Sequence, residues 1–197
     1  MVGSVSEAKR ALRREARALR VAHAGDASVS FLPALSALPA WPAARIVALY
    51  LPCGPWEPPT ADISAAALAA GKKVCAPVWL PDRGCYGLAA LGSGVPLRAG
   101  PMDVPEPDGG APVPLDAPDL FLVPGLFFDS AGRRLGHGKG WIDRLLAGRR
   151  PGSAVVGLAF PWQISAAPLP SEPHDAAMDA VLLPDGPAAH PPAPRFQ

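Results

Sequence analysis

The sequence predicts an α/β fold of three layers, in which helices cover both faces of a mostly parallel β-sheet. Short continuous apolar runs with β-branched residues, such as RIVALYLP at residues 45–52, are typical of strands buried on both faces. These runs alternate with segments whose apolar residues recur at helical spacing, and that alternation indicates parallel strands joined by helices. The chain of 197 residues is long enough for one such domain.

The first predicted element is an amphipathic helix over residues 4–22. Ser4 and Glu7 make an S-x-x-E capping box, and apolar residues follow at helical spacing. A second helix is predicted over residues 28–39, ending near Pro39. The other face of the first helix is basic and carries Lys9, Arg13, Arg17 and Arg20.

Helices and strands alternate along the rest of the chain. Thr60 or Asp62 caps a helix of small residues that ends at Gly71, and a later helix is predicted over residues 141–149. Pro77 must lie at the end of its strand or at a sheet edge, because proline cannot donate a backbone hydrogen bond. The predicted strands cover residues 45–52, 72–80, 86–91, 119–125, 153–160 and 179–183.

Two proline-rich segments fall outside this alternation. Residues 99–118 contain six prolines, and so long a connection is either functional or mobile. Residues 184–197 show no apolar periodicity and are predicted to be a disordered tail. The sequence therefore predicts a single domain over residues 1–183, followed by this tail.

The composition argues against several classes of protein. With 18 Lys and Arg against 17 Asp and Glu, the net charge of +1 argues against a nucleic-acid binder. No apolar stretch approaches the roughly 18 residues that span a bilayer, and the first residues lack the apolar core of a secretory signal. The cysteines show no CxxC spacing, which argues against a zinc site or a disulfide scaffold. We therefore expect a cytoplasmic monomer with no membrane or nucleic-acid partner.

Residues 129–150 carry the most informative motif, because they follow a predicted strand and lead into a helix. Three glycines in five residues let backbone N–H groups approach an anion closely, and the start of the helix favours negative charge at the same place. The spacing matches neither a Walker A loop nor the G-x-G-x-x-G motif. The segment is therefore either a polyphosphate-binding loop or a flexible basic turn. Its glycines and cations are Gly136, Gly138, Gly140, Arg133, Arg134 and Lys139.

An acidic residue follows this loop. Asp143 lies three residues after Gly140, in the first turn of the predicted helix. Its carboxylate either reaches a metal ion on bound phosphates or caps the helix.

The stretch VPGLFFDSAGRRLGHGKGWIDRLL, residues 123–146, resembles the signature of the 5-formyltetrahydrofolate cyclo-ligase family, also called methenyltetrahydrofolate synthetases. Flanking segments agree in order: AKRALR, VALYLP with Glu57 and Thr60, GLAFPWQI, and LPSEPHDAAMDAVL. The resemblance covers residues 8 to about 183. It implies a fold similar to the sugar-phosphate-isomerase-like fold, also called the NagB/RpiA/CoA-transferase-like fold.

The resemblance also implies an activity: ATP- and magnesium-dependent conversion of 5-formyltetrahydrofolate to 5,10-methenyltetrahydrofolate, with release of ADP and phosphate. The formyl oxygen would attack the γ-phosphate, and the neighbouring folate nitrogen would then close the ring. Lys139 and Arg134 would stabilise the transferring phosphate, and Asp143 and Asp175 would hold Mg²⁺. The reduced folate would contact Glu57, Pro52 and Trp141. ATP would contact Lys9, Arg13, Arg134, Leu135, Gly136, His137, Gly138, Lys139, Gly140, Trp141 and Ile142.

Several of these residues have a simpler interpretation. Lys9 and Arg13 are either a phosphate clamp or part of a solvated basic face. Glu57 either accepts hydrogen bonds from a pterin or lies on the surface of a proline-rich loop. Gln163 either orients a ligand or bonds to the backbone, and Trp141 stacks on a ligand or belongs to the core.

The sequence departs from the family pattern at three places. Trp141-Ile142 stands where two tyrosines are usual, His137 where Arg or Tyr is expected, and Pro58-Pro59 follows Glu57. These departures leave open a non-catalytic folate- or nucleotide-binding paralogue. A nucleic-acid-binding accessory that acts through residues 9–20 is a further alternative.

Overall fold

The computed structural model describes residues 4–23, 29–92 and 94–188. Its helices are α1 (Val5–Ala22), α2 (Leu32–Ser36), α3 (Ala40–Ala43), α4 (Ala61–Ala69) and α5 (Trp141–Ala147). Its strands are β1 (Ile46–Leu49), β2 (Lys73–Leu80), β3 (Cys85–Ala90), β4 (Leu97–Ala99), β5 (Pro105–Pro107), β6 (Pro112–Val113), β7 (Leu120–Val123), β8 (Phe127–Asp129), β9 (Arg134–Leu135), β10 (Ala154–Leu158), β11 (Ile164–Ser165), β12 (Ala180–Leu183) and β13 (Gly186–Pro187).

Eight strands form the main sheet, in the order β13-β12-β10-β7-β1-β2-β3-β6. The five strands from β12 to β2 run parallel, and β13, β3 and β6 are added antiparallel. The predicted mostly parallel sheet is confirmed. Each predicted strand is present, although most are shorter by one to three residues at an end.

Both faces of the sheet are buried, as the continuous apolar runs predict. In β7, Leu120 and Leu122 pack in one core with α2 and α4, whereas Phe121 and Val123 pack in a second core with α5. Successive side chains of a strand point to opposite faces, so a strand between two cores must be apolar throughout. The three-layer arrangement is confirmed.

The N-terminal helix packs on a smaller sheet of β11, β8 and β9. Ala16 contacts a cluster made by Leu126, Phe127, Leu135 and Leu169. The predicted capping box is present, since the Ser4 hydroxyl accepts from the Glu7 N–H and the Glu7 carboxylate accepts from the Ser4 N–H. This packing turns the basic face of α1 towards β9 and the loop after it.

Two helix predictions need correction. The helix predicted over residues 28–39 is much shorter: residue 28 lies outside the described residues, the rest contains only α2 (Leu32–Ser36), and α3 follows after Pro39. Pro39 is the N-cap of α3, because a proline without an N–H cannot continue α2 but can begin a new helix. Thr60 does precede α4, but its hydroxyl donates to the Tyr50 carbonyl at 2.8 Å instead of capping the helix.

The proline-rich segment 99–118 is folded into short elements. Strands β4 and β5 pair antiparallel, and β6 extends the main sheet. Glu106 is buried at 1% exposure, accepts from the Trp79 N–H at 2.7 Å and pairs with Arg98. The pairing of β1 with β2 ends at Cys75, two residues before Pro77. At Pro77 the strand therefore pairs only with β3 among the described strands, and the missing N–H faces the side that β1 no longer covers.

The C-terminal tail is partly ordered. Disorder was expected from residue 184, but Gly186–Pro187 pairs with β12 and Ala188 is buried. Residues 189–197 lie outside the described residues. The three cysteines are free thiols. Within the ranges given above, no helix is both long and apolar enough to cross a membrane.

Candidate active site

A cavity of about 630 Å³ opens at the carboxyl ends of β1 and β7. Tyr50 and Leu51 line it just after β1, and Pro124 lines it just after β7. The chain passes from β1 to β2 on one side and later returns to β7 on the other. Open α/β sheets bind ligands at such a switch point, so the topology itself favours a site here.

Most of the site residues predicted from the sequence line this one cavity. They are Lys9, Arg13, Glu57, Arg134, Leu135, Gly136, His137, Gly138, Lys139, Gly140, Trp141, Ile142, Asp143 and Asp175. Pro52 and Arg133 are exceptions: the neighbours Leu51 and Cys53 line the cavity but Pro52 does not, and Arg133 pairs with Asp129 at 3.5 Å instead. The structure thus brings together residues that lie up to 166 positions apart in the sequence.

The glycine loop, residues 134–142, requires its glycines for close approach of two guanidinium groups. A Cβ at Gly136 would lie 2.7 Å from Nη1 of Arg134, and one at Gly138 would lie 3.0 Å from Cζ of Arg13. Gly138 also has a positive φ of 93°, which a side chain would strain. The absence of side chains at Gly136 and Gly138 therefore lets the guanidinium groups of Arg134 and Arg13 lie close to the backbone of the loop.

Arg13 and Lys139 supply positive charge to the two sides of this loop. Nε of Arg13 donates to the Gly136 carbonyl at 3.0 Å, which fastens α1 to the loop. Lys139 is exposed, and its ammonium makes no ion pair with any residue that the structure describes. The backbone carbonyl of Lys139 accepts a hydrogen bond from Nη2 of Arg144 at 3.0 Å. This bond fixes the backbone at Lys139, while its exposed side chain can contact a ligand.

Arg134 is buried behind the loop and positions Asp143. Its Nη2 lies 2.8 Å from Oδ1 of Asp143, and Nη1 donates to the Pro124 carbonyl at 3.4 Å. Oδ1 of Asp143 also accepts from the Ala176 N–H at 3.3 Å. Asp143 is therefore not a helix cap, since α5 has no side-chain cap bond. Its carboxylate instead joins the loop to the segment that carries Asp175.

An acidic cluster, Glu172, His174 and Asp175, faces Lys9. Nζ of Lys9 lies 2.6 Å from Asp175 and 2.7 Å from Glu172. Burial lowers the pKa of Lys9, but the hydrogen bonds to Asp175 and Glu172 outweigh it and raise the pKa above its ordinary value. Lys9 is only 6% exposed, so the interpretation as a solvated basic face is wrong for this residue.

This cluster has the donors of a cation site. One ligand atom from each of its three residues lies within 4.8 Å of the others. Glu172 was missed in the sequence analysis, although it stands three residues before Asp175 in the segment that carries the resemblance. Two carboxylates suit a hard cation such as Mg²⁺.

Glu57 is buried, so its interpretation as a surface residue is wrong. It is 6% exposed, and its Oε2 accepts from the Cys53 N–H at 2.8 Å. Burial raises the pKa of Glu57, while the Cys53 N–H and the charge of Arg20 oppose that rise. The bond from the Cys53 N–H holds the carboxylate at the cavity wall through Oε2. The other oxygen, Oε1, does not take part in this bond.

Arg20 is a cavity residue that the sequence analysis named only as part of the basic face. Its Nη2 lies 3.0 Å from Nε2 of His137 and 3.9 Å from Oε1 of Glu57. Its guanidinium also stacks over Trp56 at 5.6 Å from the ring centroid. The signal was present, since Arg20 follows Arg13 by seven residues and so shares its helical face.

An aromatic group, Trp79, Tyr86 and Trp141, packs beside the loop. The ring centroids of Tyr86 and Trp141 lie 4.9 Å apart, and those of Trp79 and Tyr86 lie 5.2 Å apart. Tyr86 and Trp141 line the cavity, so Trp141 belongs to a packed cluster and to the cavity wall at once. Among the described residues Gln163 bonds to the backbone at Phe160 and Gly125 and is fully buried, which agrees with the interpretation that it bonds to the backbone.

Comparison with known proteins identifies a consistent set of relatives. Residues 5–184 match the family model described as the 5-formyltetrahydrofolate cyclo-ligase family. The 5-formyltetrahydrofolate cyclo-ligase of Mycolicibacterium smegmatis is 32% identical over 146 residues, which are 71% of this chain and 74% of that protein. The mitochondrial 5-formyltetrahydrofolate cyclo-ligase of Arabidopsis thaliana is 32% identical over 100 residues, which are 46% of this chain but only 36% of that protein.

A solved structure has the same fold. The NMR structure of 5,10-methenyltetrahydrofolate synthetase from Aquifex aeolicus superposes with a TM-score of 0.76. It is 26% identical in sequence, and the superposition covers 91% of both chains. The similarity therefore extends over nearly the whole chain and includes the cavity-forming elements.

Proposed function

The chain belongs to the 5-formyltetrahydrofolate cyclo-ligase family, and on that premise we propose that it converts 5-formyltetrahydrofolate to 5,10-methenyltetrahydrofolate at the expense of ATP. One observation carries the proposal: the loop cations, the acidic cluster and Glu57 line a single cavity. Its volume of about 630 Å³ lies in the range of small-molecule sites. A phosphate donor and its acceptor must meet in one space for the transfer to occur.

The nucleotide occupies the side of the cavity formed by α1 and the glycine loop in this proposal. Arg13 and Lys139 offer cations from two elements, and the glycines let backbone N–H groups approach the phosphates. Phosphoryl transfer needs positioning and charge more than covalent help, so these groups suffice for the protein's part. Lys139 is the residue best suited to meet charge that develops on the transferring phosphate.

Magnesium fits the acids of this site. Glu172 and Asp175 offer carboxylate oxygens, the ligands that Mg²⁺ prefers, whereas the imidazole of His174 suits it less. Asp143 is not grouped with them, since its Oδ1 bonds to Arg134 and to the Ala176 N–H, so as a ligand it would offer its other oxygen. The ion would neutralise charge on the ATP phosphates. Arg134 acts as a positioning residue in this scheme, because its bond to Asp143 fixes the carboxylate at the end of the loop.

The reduced folate lies against Glu57 in this proposal. The buried carboxylate accepts hydrogen bonds from amino and ring N–H groups of the pterin, and the Cys53 N–H holds it in place. The formyl oxygen attacks the γ-phosphorus, the bond to the β-phosphate oxygen breaks, and ADP leaves. The neighbouring folate nitrogen then attacks the activated formyl carbon and loses its proton, and phosphate leaves with the former formyl oxygen.

A turnover assay tests this function. Purified protein is mixed with 5-formyltetrahydrofolate, ATP and Mg²⁺, and methenyl absorbance and ADP release are followed together. We expect both products to form at a one-to-one ratio, and neither to form when ATP is omitted. ADP release without methenyl formation would make the protein a nucleotidase and would contradict the proposal.

A non-catalytic paralogue is the second candidate, and one observation favours it. Trp141-Ile142 replaces the usual pair of tyrosines, and the Trp141 ring is held by Tyr86 and Trp79. Binding of 5-formyltetrahydrofolate and ATP by calorimetry, with no turnover in the assay above, would support this candidate over the enzyme.

We also propose that the chain acts as a cytoplasmic monomer. The loop cations, the acids and Glu57 all come from one chain, so the cavity needs no residue from a second copy. The three free thiols agree with a reducing compartment. Sedimentation of the purified protein at micromolar concentration tests the oligomeric state.

A further inference from the structure

Tyr86 carries a buried hydroxyl group that has no hydrogen-bond partner among the described residues. The residue is 8% exposed and lines the cavity. Buried polar groups in proteins are almost always hydrogen-bonded, because an unpaired hydroxyl has lost its water without replacement. A phenylalanine would fill the same space without that cost, so the hydroxyl group calls for a partner that the described residues do not supply.

The ring of Tyr86 is fixed, and its hydroxyl group therefore has a defined place. Tyr86 lies opposite Trp79 in the β2–β3 ladder, and the two rings meet edge to face at 5.2 Å. Trp141 packs against both rings, with its centroid 4.9 Å from that of Tyr86 and 5.7 Å from that of Trp79. The Trp79 backbone is in turn held by the buried carboxylate of Glu106. A group held in this way loses little conformational freedom when it binds a ligand.

The surroundings of the hydroxyl group also keep it protonated. Burial, with added effects of Glu106 and Cys53, raises the pKa of Tyr86 to about 12. At neutral pH the phenol is therefore a hydrogen-bond donor. Such a donor matches an acceptor atom of a ligand, such as a carbonyl oxygen or a ring nitrogen.

We propose that the Tyr86 hydroxyl group donates a hydrogen bond to the reduced folate bound in the cavity. This inference rests on the proposed function. The folate is favoured over ATP because Tyr86 lines the cavity together with Pro77 of the paired strand β2, where the lining is uncharged, whereas Arg13 and Lys139 come from α1 and the glycine loop. A pterin carries both a carbonyl oxygen and ring nitrogens, so it offers the acceptor that the phenol requires.

The test is Tyr86→Phe, which removes the oxygen atom and keeps the ring. Calorimetry without the second substrate measures the dissociation constants of 5-formyltetrahydrofolate and of ATP separately. We expect the constant for 5-formyltetrahydrofolate to rise about fivefold, equal to about 1 kcal/mol, as for one neutral hydrogen bond. The constant for ATP should not change. The melting temperature should stay the same or rise, because an unpaired buried group is removed.

Tyr50→Phe is the matched contrast for stability. The Tyr50 hydroxyl group donates to the Pro58 carbonyl at 2.6 Å, so its removal leaves a buried carbonyl unpaired and should lower the melting temperature. A melting temperature of Tyr86→Phe that falls as far as that of Tyr50→Phe would overturn the inference, because the hydroxyl group would then have a partner within the chain.

The outcomes separate this inference from the function on which it rests. If the wild-type protein binds 5-formyltetrahydrofolate and Tyr86→Phe binds it equally well, the role of Tyr86 is refuted and the proposed function stands. A rise confined to the constant for ATP refutes the assignment to folate. If the wild-type protein does not bind 5-formyltetrahydrofolate at all, the proposed function and this inference fail together.

Discussion

Nη2 of Arg20 lies 3.0 Å from Nε2 of His137. A guanidinium group only donates hydrogen bonds, so Nε2 must be the acceptor and the imidazole is neutral, with its proton on Nδ1. Partial burial, together with Arg20 and Arg17, lowers the pKa of His137 to about 4, although 44% of the side chain stays exposed. His137 therefore adds no positive charge to the loop at neutral pH, and the cations there include Arg13, Arg20 and Lys139.

This contact predicts a pH dependence of stability. Between pH 4 and pH 6.5 the unfolded chain binds a proton at His137 that the folded chain does not, so the free energy of unfolding falls as pH falls through this window. We expect His137→Gln to show a shallower loss of melting temperature than the wild type between about pH 7 and pH 5. Parallel curves for the two proteins would contradict the neutral imidazole.

Lys139→Ala tests the transition-state role of the free loop cation. The turnover number should fall at least about a hundredfold, a typical loss for one such group, with no change in melting temperature. Lys73→Ala is the matched control, because Lys73 is exposed on β2 and does not line the cavity. Turnover that is equal in both variants would remove Lys139 from the mechanism.

Arg13→Ala tests the nucleotide side of the cavity. Arg13 contributes a charged hydrogen-bond donor, so its loss should raise KM for ATP about tenfold and leave KM for 5-formyltetrahydrofolate nearly unchanged. Arg14→Ala removes the same group from an exposed position one residue along α1. If both variants shift KM for ATP alike, the effect comes from the net charge of the helix and not from the site.

The strands were predictable because their burial has a simple sequence pattern. β7 and β10 lie between two cores, so each of their residues is apolar or small and the run is unmistakable. The end at Pro39 was predictable, but α2 already ends at Ser36. Ala37 and Leu38 favour helices by propensity, so this early end was not predictable from them.

The part of the site that one continuous segment forms could be predicted from the sequence. The residues that reach the site only through the folding of the chain could not. The glycine loop follows a strand and precedes a helix, so its chemistry can be inferred from local sequence. Tyr86 reaches the cavity only through its register with Trp79 in an antiparallel ladder. Glu172 becomes relevant because Lys9, 163 positions earlier, bonds to it. Neither pairing leaves a trace in the spacing of the sequence.

Asp129 belongs to the signature segment but is predicted to act on stability alone. Its carboxylate is buried and accepts from the backbone N–H groups of Ala131, Arg133 and Leu169. Asp129→Ala leaves these three donors unpaired, which should cost about 3 kcal/mol and lower the melting temperature by about 6–12 °C. Asp116→Ala, at an exposed position, is the control and should not change it. An unchanged melting temperature in Asp129→Ala would show that the turn holds without the carboxylate.

Glu57→Gln should separate stability from binding. Burial raises the pKa of Glu57 above its ordinary value of 4.5, so the folded chain binds a proton more tightly than the unfolded chain. The charge therefore costs folding free energy as pH rises above 4.5. Gln keeps the acceptor for the Cys53 N–H and removes the charge. The melting temperature at pH 7 should thus equal or exceed that of the wild type.

The same substitution should weaken folate binding, because a neutral amide is a poorer acceptor than a carboxylate for the N–H groups of a pterin. We expect the dissociation constant for 5-formyltetrahydrofolate to rise about tenfold, the loss of one charged hydrogen bond. Glu15→Gln on the exposed face of α1 is the control and should bind normally. Since the variant gains stability while it loses affinity, unfolding cannot explain the loss. A variant that is less stable at pH 7 and binds folate as well as the wild type would show that Glu57 serves the fold and not the ligand.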